Sequence, residues 1–125
     1  MPENKKLIWS DEFDGTSGDG PNQKFWNFDI GDGTESGIPG WGNQEREWYL
    51  KEQARIDGDS NLVIRAVRNR EATPVAYYGE TAEWLSSKIT TKDKVEVKYG
   101  LIEARIKIPT GAGTCLLYTS DAADD

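Results

Sequence analysis

The sequence predicts an all-β protein in which short antiparallel strands pack as a β-sandwich. Two observations support this fold class. The apolar residues are aromatic and β-branched rather than leucine-rich, with five Trp and five Tyr among them, and such residues favour strands. The 13 glycines cluster between short apolar runs, where they favour turns. No segment shows a helical period of convincing length or a fixed repeat, so we expect about eight short strands joined by turns.

The first third of the chain contains two predicted strands and a long loop. Residues 7–13 form the first strand, and an Asp-Gly dipeptide closes it because this pair tolerates the positive φ of a tight turn. Residues 25–30 alternate between apolar and polar side chains and predict a half-buried strand. Residues 31–42 hold five glycines and Pro39, too many breakers for regular structure, so we expect a long surface loop that carries Trp41.

The clearest alternation lies in residues 101–108. The even-numbered positions are Ile, Ala, Ile and Ile, and the odd-numbered positions include Glu, Arg and Lys, which is the period-two pattern of a strand with one buried face. Pro109 ends this strand because it has no N–H to donate. A turn at residues 57–60 separates two further strands. The other predicted strands are residues 45–50, 54–57, 61–68, 84–91 and 95–98.

Charge and composition exclude several classes of function. The chain has 15 basic and 22 acidic residues, a net charge of −7 and no basic run longer than Lys5-Lys6, so we do not expect a nucleic-acid partner. Its longest apolar stretches are a few residues, and we expect neither a membrane-spanning helix nor a signal peptide in this chain. There is no histidine, and Cys115 is the only cysteine, which excludes Ser/His/Asp and Cys/His catalysis and an internal disulfide.

Residues 115–125 differ from the rest of the chain. They show neither strand alternation nor a turn signal that fits a sandwich, and they resemble a translated sequencing adapter. We therefore expect residues 1–114 to form the domain and residues 115–125 to be a non-native tail. The alternative is a genuine acidic C-terminus.

Four segments of the chain form a recognisable series. They are residues 9–15 (Trp-Ser-Asp-Glu-Phe-Asp-Gly), 40–49 (Gly-Trp-Gly-Asn-Gln-Glu-Arg-Glu-Trp-Tyr), 59–64 (Asp-Ser-Asn-Leu-Val-Ile) and 99–109 (Tyr-Gly-Leu-Ile-Glu-Ala-Arg-Ile-Lys-Ile-Pro). Together and in this order they resemble glycoside hydrolase family 16, specifically its laminarinase-like β-1,3-glucanase branch. The Gly-Trp-Gly-Asn sequence of the second segment favours laminarinases over agarases and carrageenases. The resemblance covers nearly all of residues 7–114.

The resemblance implies a fold, a substrate and a location. The fold is a jelly-roll, concanavalin A-like sandwich of two curved antiparallel sheets, with a glycan cleft across the concave face. Residues 1–114 would be the N-terminal half of such a domain, so the sandwich is incomplete. The implied reaction is retaining endo-hydrolysis of β-1,3-glucan, or of mixed β-1,3/1,4-glucan, without a catalytic cofactor. The implied protein is extracellular or periplasmic, and monomeric when full-length.

The catalytic motif of this family, Glu-x-Asp-x-x-Glu on one strand, is absent from the sequence. In a retaining enzyme it holds two carboxyl groups about 5 Å apart. The nearest match begins at Glu12 and has Ser17 in place of the second Glu, and the pair Glu45 and Glu47 is followed at that position by Leu50. We therefore expect the chain to contain no catalytic residue and to be inactive alone. The alternative function is a non-catalytic β-glucan-binding module.

The resemblance also assigns binding residues. Asn43 matches a family position that contacts glucan, and an amide suits sugar hydroxyls because it donates and accepts together; the alternative is an Asn that stabilises its own loop. Trp41 and Trp48 either stack on sugar faces or pack within the fold. Lys88 stands where relatives carry an Arg that reaches the substrate, and it keeps the charge without the planar fork; the alternative is an exposed strand Lys.

A structural calcium site on the convex side is implied as well. Glu12 matches a position that helps bind this ion in some relatives, together with backbone oxygens near Gly58 and a further Asp near the C-terminus. Because calcium takes about six or more oxygen ligands, we expect this site to be incomplete in the chain.

Overall fold

The computed structural model describes residues 5–111, so the predicted boundary after residue 114, Cys115 and the tail at 115–125 lie outside the described residues. The described chain is all-β, with seven strands of two or three residues and two short 3₁₀ helices. Neither helix is long and apolar enough to cross a membrane. The strands are β1 (Asn27–Asp29), β2 (Trp48–Tyr49), β3 (Ala54–Ile56), β4 (Leu62–Ile64), β5 (Val67–Arg68), β6 (Trp84–Ser86) and β7 (Lys88–Thr90), and the helices are Thr34–Ser36 and Pro39–Gly42.

The strands form three small sheets. β1 pairs with β7 and β3 with β4, both antiparallel, and the third sheet has the order β2-β6-β5. β5 and β6 are antiparallel, whereas β2 and β6 are parallel. The predicted antiparallel all-β class is confirmed, with one parallel pair that the sequence pattern did not predict. That pair is permitted because a long connection, residues 50–83, separates β2 from β6.

The turn between β3 and β4 follows directly from its sequence. The Asp57 carboxylate accepts hydrogen bonds from the backbone N–H of Asp59 at 2.7 Å and of Asn61 at 3.2 Å, and from the Asn61 amide at 2.9 Å. The Asn61 side chain contributes most to lowering the pKa of Asp57 below its ordinary value, and the Asp59 N–H adds to it. Gly58 and Ser60 adopt positive φ angles of 87° and 63°. The predicted turn at residues 57–60 is therefore present.

Three predicted strands are wrong. Residues 7–13, 95–98 and 101–108 form no ladder within the described part of the chain. The alternation of residues 101–108 is intact, but a strand needs a partner edge, and these residues have none among 5–111; Ile102 is 77% exposed. The other predicted strands are shorter than expected, and two of them are split, residues 61–68 into β4 and β5 and residues 84–91 into β6 and β7.

Residues 7–13 are instead shaped by Asp11 and an aromatic cluster. The Asp11 carboxylate accepts the Phe13 N–H at 2.8 Å and the Trp26 indole N–H at 2.8 Å, and Phe13 has a positive φ of 54° that breaks the extended backbone. The ring of Trp9 lies 5.5 Å from that of Phe25 and 5.9 Å from that of Trp26. These edge-to-face contacts hold the N-terminal segment against the chain before β1.

Candidate functional site

The loop before β2 is closed tightly by Gly33. The Gly33 carbonyl accepts hydrogen bonds from the N–H of Ser36 at 3.1 Å and of Ile38 at 2.9 Å. A Cβ atom on Gly33 would lie 2.2 Å from the Ile38 carbonyl oxygen, and the residue has a φ of 89°. Only glycine fits a backbone that is both this close and left-handed. The loop can therefore double back and present the residues that follow it.

Trp41 is fixed against the end of β2. Its indole N–H donates to the Gly31 carbonyl at 3.3 Å, and its ring centroid lies 6.4 Å from that of Tyr49. Gly31 and Tyr49 exchange two backbone hydrogen bonds of 2.8 and 3.0 Å. The Trp41 ring is thus held by the same backbone bridge that holds Tyr49, and it remains partly exposed.

The Glu45 carboxylate lies at the centre of the site. It accepts the Tyr49 hydroxyl at 2.6 Å and the Asn43 side-chain amide at 3.2 Å. The Lys88 ammonium, on β7, lies 3.8 Å from Glu45 Oε1 and 4.5 Å from the centroid of the Trp41 ring. These five side chains, which we call the Trp41 cluster, place an aromatic ring, an amide, a carboxylate, a phenol and an ammonium group side by side.

Tyr49 acts in this cluster as a permanent hydrogen-bond donor. Burial raises the pKa of its phenol well above the ordinary value. The hydrogen bond that the phenol donates to the Glu45 carboxylate raises this pKa further, and so does the negative charge of Glu47. The hydroxyl also lies 3.4 Å from Glu47 Oε2. Both carboxylates thus converge on one neutral hydroxyl, which stays protonated at neutral pH and holds Glu45 in place for Asn43 and Lys88.

The structure brings three of the four predicted binding residues together. Trp41, Asn43 and Lys88 all belong to the Trp41 cluster. Trp48 does not, because neighbouring residues of a strand point to opposite faces. Its ring lies against Gly31, 3.5 Å from where a Cβ atom on that glycine would stand. Whether any of the four binds a ligand stays a prediction.

Gly58, one of the two residues predicted for calcium, lies at a contact between the N-terminal segment and the β3–β4 turn. Glu12 and Gly58 are both exposed, and a Cβ atom on Gly58 would lie 3.2 Å from Ser17 Cβ. Among residues 5–111, no group of three or more acidic, His or Cys side chains is placed to hold a metal ion. Glu12 and the backbone oxygens near Gly58 would supply only part of the about six oxygen ligands that calcium takes, and the calcium site stays a prediction.

Two members of the Trp41 cluster, Glu45 and Tyr49, were not predicted as binding residues. A signal for them exists in the sequence, since positions 45, 47 and 49 alternate with their neighbours and so share one face of an extended segment. Glu45 also has the charge opposite to that of Lys88. Its central position depends on β7 lying nearby, which the local sequence does not show.

Comparisons with known proteins agree on a class of relatives. No protein-family model matches the chain. It is 36% identical over 110 residues to glucan endo-1,3-beta-glucosidase A1 of Niallia circulans, and this match covers 86% of this chain and 16% of that protein. It is 34% identical over 112 residues to a beta-glucanase of Rhodothermus marinus (87% and 33%). It is 35% identical over 114 residues to the clotting factor G alpha subunit of Tachypleus tridentatus (90% and 14%). The chain therefore spans a third or less of these curated relatives.

Solved structures give the same result. The chain matches the laminarinase catalytic domain of Thermotoga maritima with a TM-score of 0.62 and 43% identity, covering 76% of this chain and 35% of that one. It matches the endo-beta-1,3-glucanase of Pyrococcus furiosus with a TM-score of 0.60 and 39% identity (72% and 32%). It also matches SCLam, a non-specific endo-beta-1,3(4)-glucanase from family GH16, with a TM-score of 0.58 and 29% identity (80% and 36%). The predicted family resemblance and fold class are confirmed.

Proposed function

Because this chain belongs with the laminarinases and endo-β-1,3-glucanases of glycoside hydrolase family 16, we propose that the protein hydrolyses β-1,3-glucan or mixed β-1,3/1,4-glucan. The reaction is endo-acting and retains the anomeric configuration. We place the protein outside the cytoplasm, in the extracellular space or the periplasm, where a polysaccharide substrate is met. Residues 5–111 contribute part of the surface that binds the glucan.

The Trp41 cluster is the observation that carries this proposal. A glucose unit has apolar C–H faces and a rim of hydroxyl groups. The partly exposed Trp41 ring suits a C–H face, and Asn43 offers a donor and an acceptor to the hydroxyls. Glu45 and Lys88 add an acceptor and a donor within 3.8 Å of each other. Such a surface recognises a neutral, hydroxyl-rich ligand, because its own charges are already paired.

The catalytic carboxylates of a retaining glycosidase are not supplied by this cluster. Such an enzyme needs two carboxyl groups about 5 Å apart, one as nucleophile and one as acid/base. Glu45 is held by Tyr49, Asn43 and Lys88, and Glu47 shares the Tyr49 hydroxyl. The chain also lacks Glu-x-Asp-x-x-Glu. We therefore propose that this chain binds glucan without cleaving it.

A second candidate is a non-catalytic β-glucan-binding module. The relative from Tachypleus tridentatus favours it, since the name clotting factor G alpha subunit does not describe a hydrolase. Both candidates use the Trp41 cluster in the same way, and they differ only in whether the protein carries catalytic carboxylates elsewhere. The coding sequence beyond Thr114 discriminates between them: a Glu-x-Asp-x-x-Glu segment with laminarin cleavage supports the enzyme, and an uninterrupted frame without it supports the module.

The binding step is tested on the chain itself by calorimetric titration with laminarin. We expect saturable binding, no release of reducing ends, and a loss of affinity of about tenfold in Trp41→Ala, because the ring face contributes about 1.4 kcal/mol. Trp84→Ala is the matched control, since Trp84 is 43% exposed on β6 and lies outside the cluster. Equal affinities in the two variants would refute the role of the cluster, and reducing-end release by this chain would refute its inactivity.

A further inference from the structure

A β-turn at residues 76–79 lies beside residues 31–42, which we call the Trp41 loop. The Gly79 N–H donates to the Ala76 carbonyl at 2.9 Å, so that Tyr77 and Tyr78 occupy the two central positions of the turn. The Ala76 N–H donates in turn to the Glu80 backbone carbonyl at 2.8 Å. Two adjacent tyrosines therefore lie at the tip of a short, hydrogen-bonded loop, outside the named strands.

Asp32 ties this turn to the Trp41 loop. The residue is 3% exposed, and its carboxylate accepts the Tyr77 N–H at 2.6 Å and the Thr34 N–H at 3.0 Å. The Asp32 carbonyl accepts the Gly40 N–H at 2.8 Å. One residue thus fixes both the tyrosine turn and the residue before Trp41, so their relative position is set by the backbone.

The Tyr77 ring packs against the loop that carries Trp41, and the Tyr78 ring packs against Arg46. A Cβ atom on Gly40 would lie 3.1 Å from the Tyr77 ring and hydroxyl, so this ring lies where a larger residue would exclude it. Tyr78 meets Tyr77 edge to face at 5.2 Å and carries the Arg46 guanidinium 3.9 Å above its centroid. Tyr77 remains 38% exposed. These two phenols and one guanidinium, which we call the tyrosine platform, lie beside Gly40, the residue before Trp41.

We propose that Tyr77, Tyr78 and Arg46 form a second sugar-binding position, which extends the proposed glucan surface so that it takes a longer segment of β-1,3-glucan. This inference rests on the proposed function and adds to it the length of chain recognised. The Tyr77 ring offers an apolar face to a further glucose unit. The phenol hydroxyls and the guanidinium N–H groups suit its hydroxyls. Short oligosaccharides fill only the Trp41 cluster, and longer ones reach the tyrosine platform.

The test is calorimetric titration of the chain with laminari-oligosaccharides of two to six glucose units. We expect Tyr77→Ala to weaken binding of the hexasaccharide about 3- to 10-fold and to leave binding of the disaccharide unchanged. The substitution keeps the backbone N–H that Asp32 accepts. Tyr77→Leu, which keeps an apolar contact against Gly40 but has no aromatic face, should show the same loss. Tyr99→Ala, at an 81% exposed tyrosine, is the matched control.

The outcomes separate this inference from the function on which it rests. Unchanged hexasaccharide affinity in both Tyr77 variants, with weakened binding in Trp41→Ala, would overturn the second position and leave the Trp41 cluster standing. An equal loss for the disaccharide and the hexasaccharide would also overturn it, because the effect would then be a general loss of structure. If the unmodified chain bound no oligosaccharide of any length, the proposed function itself would fail.

Discussion

Replacing Asp32 with alanine tests how the two loops of the site are joined. Asp32 is a buried residue, and its carboxylate accepts two backbone N–H groups, from Thr34 and from Tyr77. Alanine removes both hydrogen bonds, so the two N–H donors lose the charged acceptor that they share. We expect the turn at residues 76–79 to detach locally from the Trp41 loop, while the β3–β4 hairpin stays intact.

The magnitude follows from the charge of the acceptor. A hydrogen bond to a charged group contributes about 1.5 to 3 kcal/mol, and the 2.6 Å contact to the Tyr77 N–H is the shorter of the two. Taking about 2 to 3 kcal/mol for the Tyr77 bond, the population of the open form rises about 30- to 150-fold. The amide exchange of Tyr77 should accelerate by the same factor.

Hydrogen exchange followed by mass spectrometry measures this effect locally. The Tyr77 peptide of Asp32→Ala is compared with that of Asp59→Ala, since the exposed Asp59 side chain makes no hydrogen bond within residues 5–111. The Asp57 N–H, bonded to the Asn61 carbonyl at 3.0 Å, serves as an internal reference in the hairpin. If the Tyr77 peptide exchanged equally slowly in both variants, Asp32 would not be the residue that holds the turn at 76–79 against the Trp41 loop.

The same residue predicts a dependence on pH. Burial alone would raise the pKa of Asp32, but the hydrogen bonds from Thr34 and Tyr77 outweigh it and hold the pKa below its ordinary value of 3.8. The ionised form therefore stabilises the fold. This contribution is fully present above about pH 4 and is lost as the pH falls through the lowered pKa. Protection of the Tyr77 amide, corrected for intrinsic exchange, should fall in that acid range, and it should stay flat in Asp32→Ala.

Two further substitutions, one with a matched control, test the geometry of the site. Gly33→Ala should open the Trp41 loop and lower laminarin affinity at least tenfold by titration, because its Cβ would collide with the Ile38 carbonyl. Gly37 has a φ of 76° and open space around it, so Gly37→Ala should reduce the stability of the loop by only about 1 kcal/mol. Equal losses of laminarin affinity in the two variants would contradict the collision at Gly33. Tyr49→Phe should leave the absorbance change of tyrosine ionisation near pH 10 undiminished, since the raised pKa keeps Tyr49 out of that titration. A reduced amplitude would refute the donor role.

Local chemistry made the turns predictable, whereas strand pairing depended on distant residues. The Asp57 turn was foreseen because Asp and Gly satisfy its geometry within five residues. Residues 101–108 have the best alternation in the chain, yet they form no ladder in the described residues. Alternation reports which side chains share a face, and it does not supply the neighbouring edge that completes a sheet.

The candidate site shows the same division. Trp41 and Asn43 were found from a motif of four consecutive residues, and Lys88 from its position in the family pattern. Glu45 was missed because its role arises only when β7 brings Lys88 within 3.8 Å. Trp48 was predicted with the others because the longer segment at residues 40–49 contains it, but the alternation of β2 turns it away from Tyr49 and the cluster.

The Trp41 cluster is built from two distant pieces of chain, with Lys88 alone coming from beyond residue 49. Joining them closes a loop of about forty residues, which costs about 3 kcal/mol in chain entropy. The Leu50 N–H bonded to the Ser86 carbonyl at 2.8 Å, and the Ser87 hydroxyl bonded to the Leu50 carbonyl, offset part of that cost. A glucan that contacts Asn43 and Lys88 together would favour the closed loop by mass action. Bound polysaccharide would then stabilise the closed loop, so a change that orders residues 50–87 would also increase the affinity for glucan.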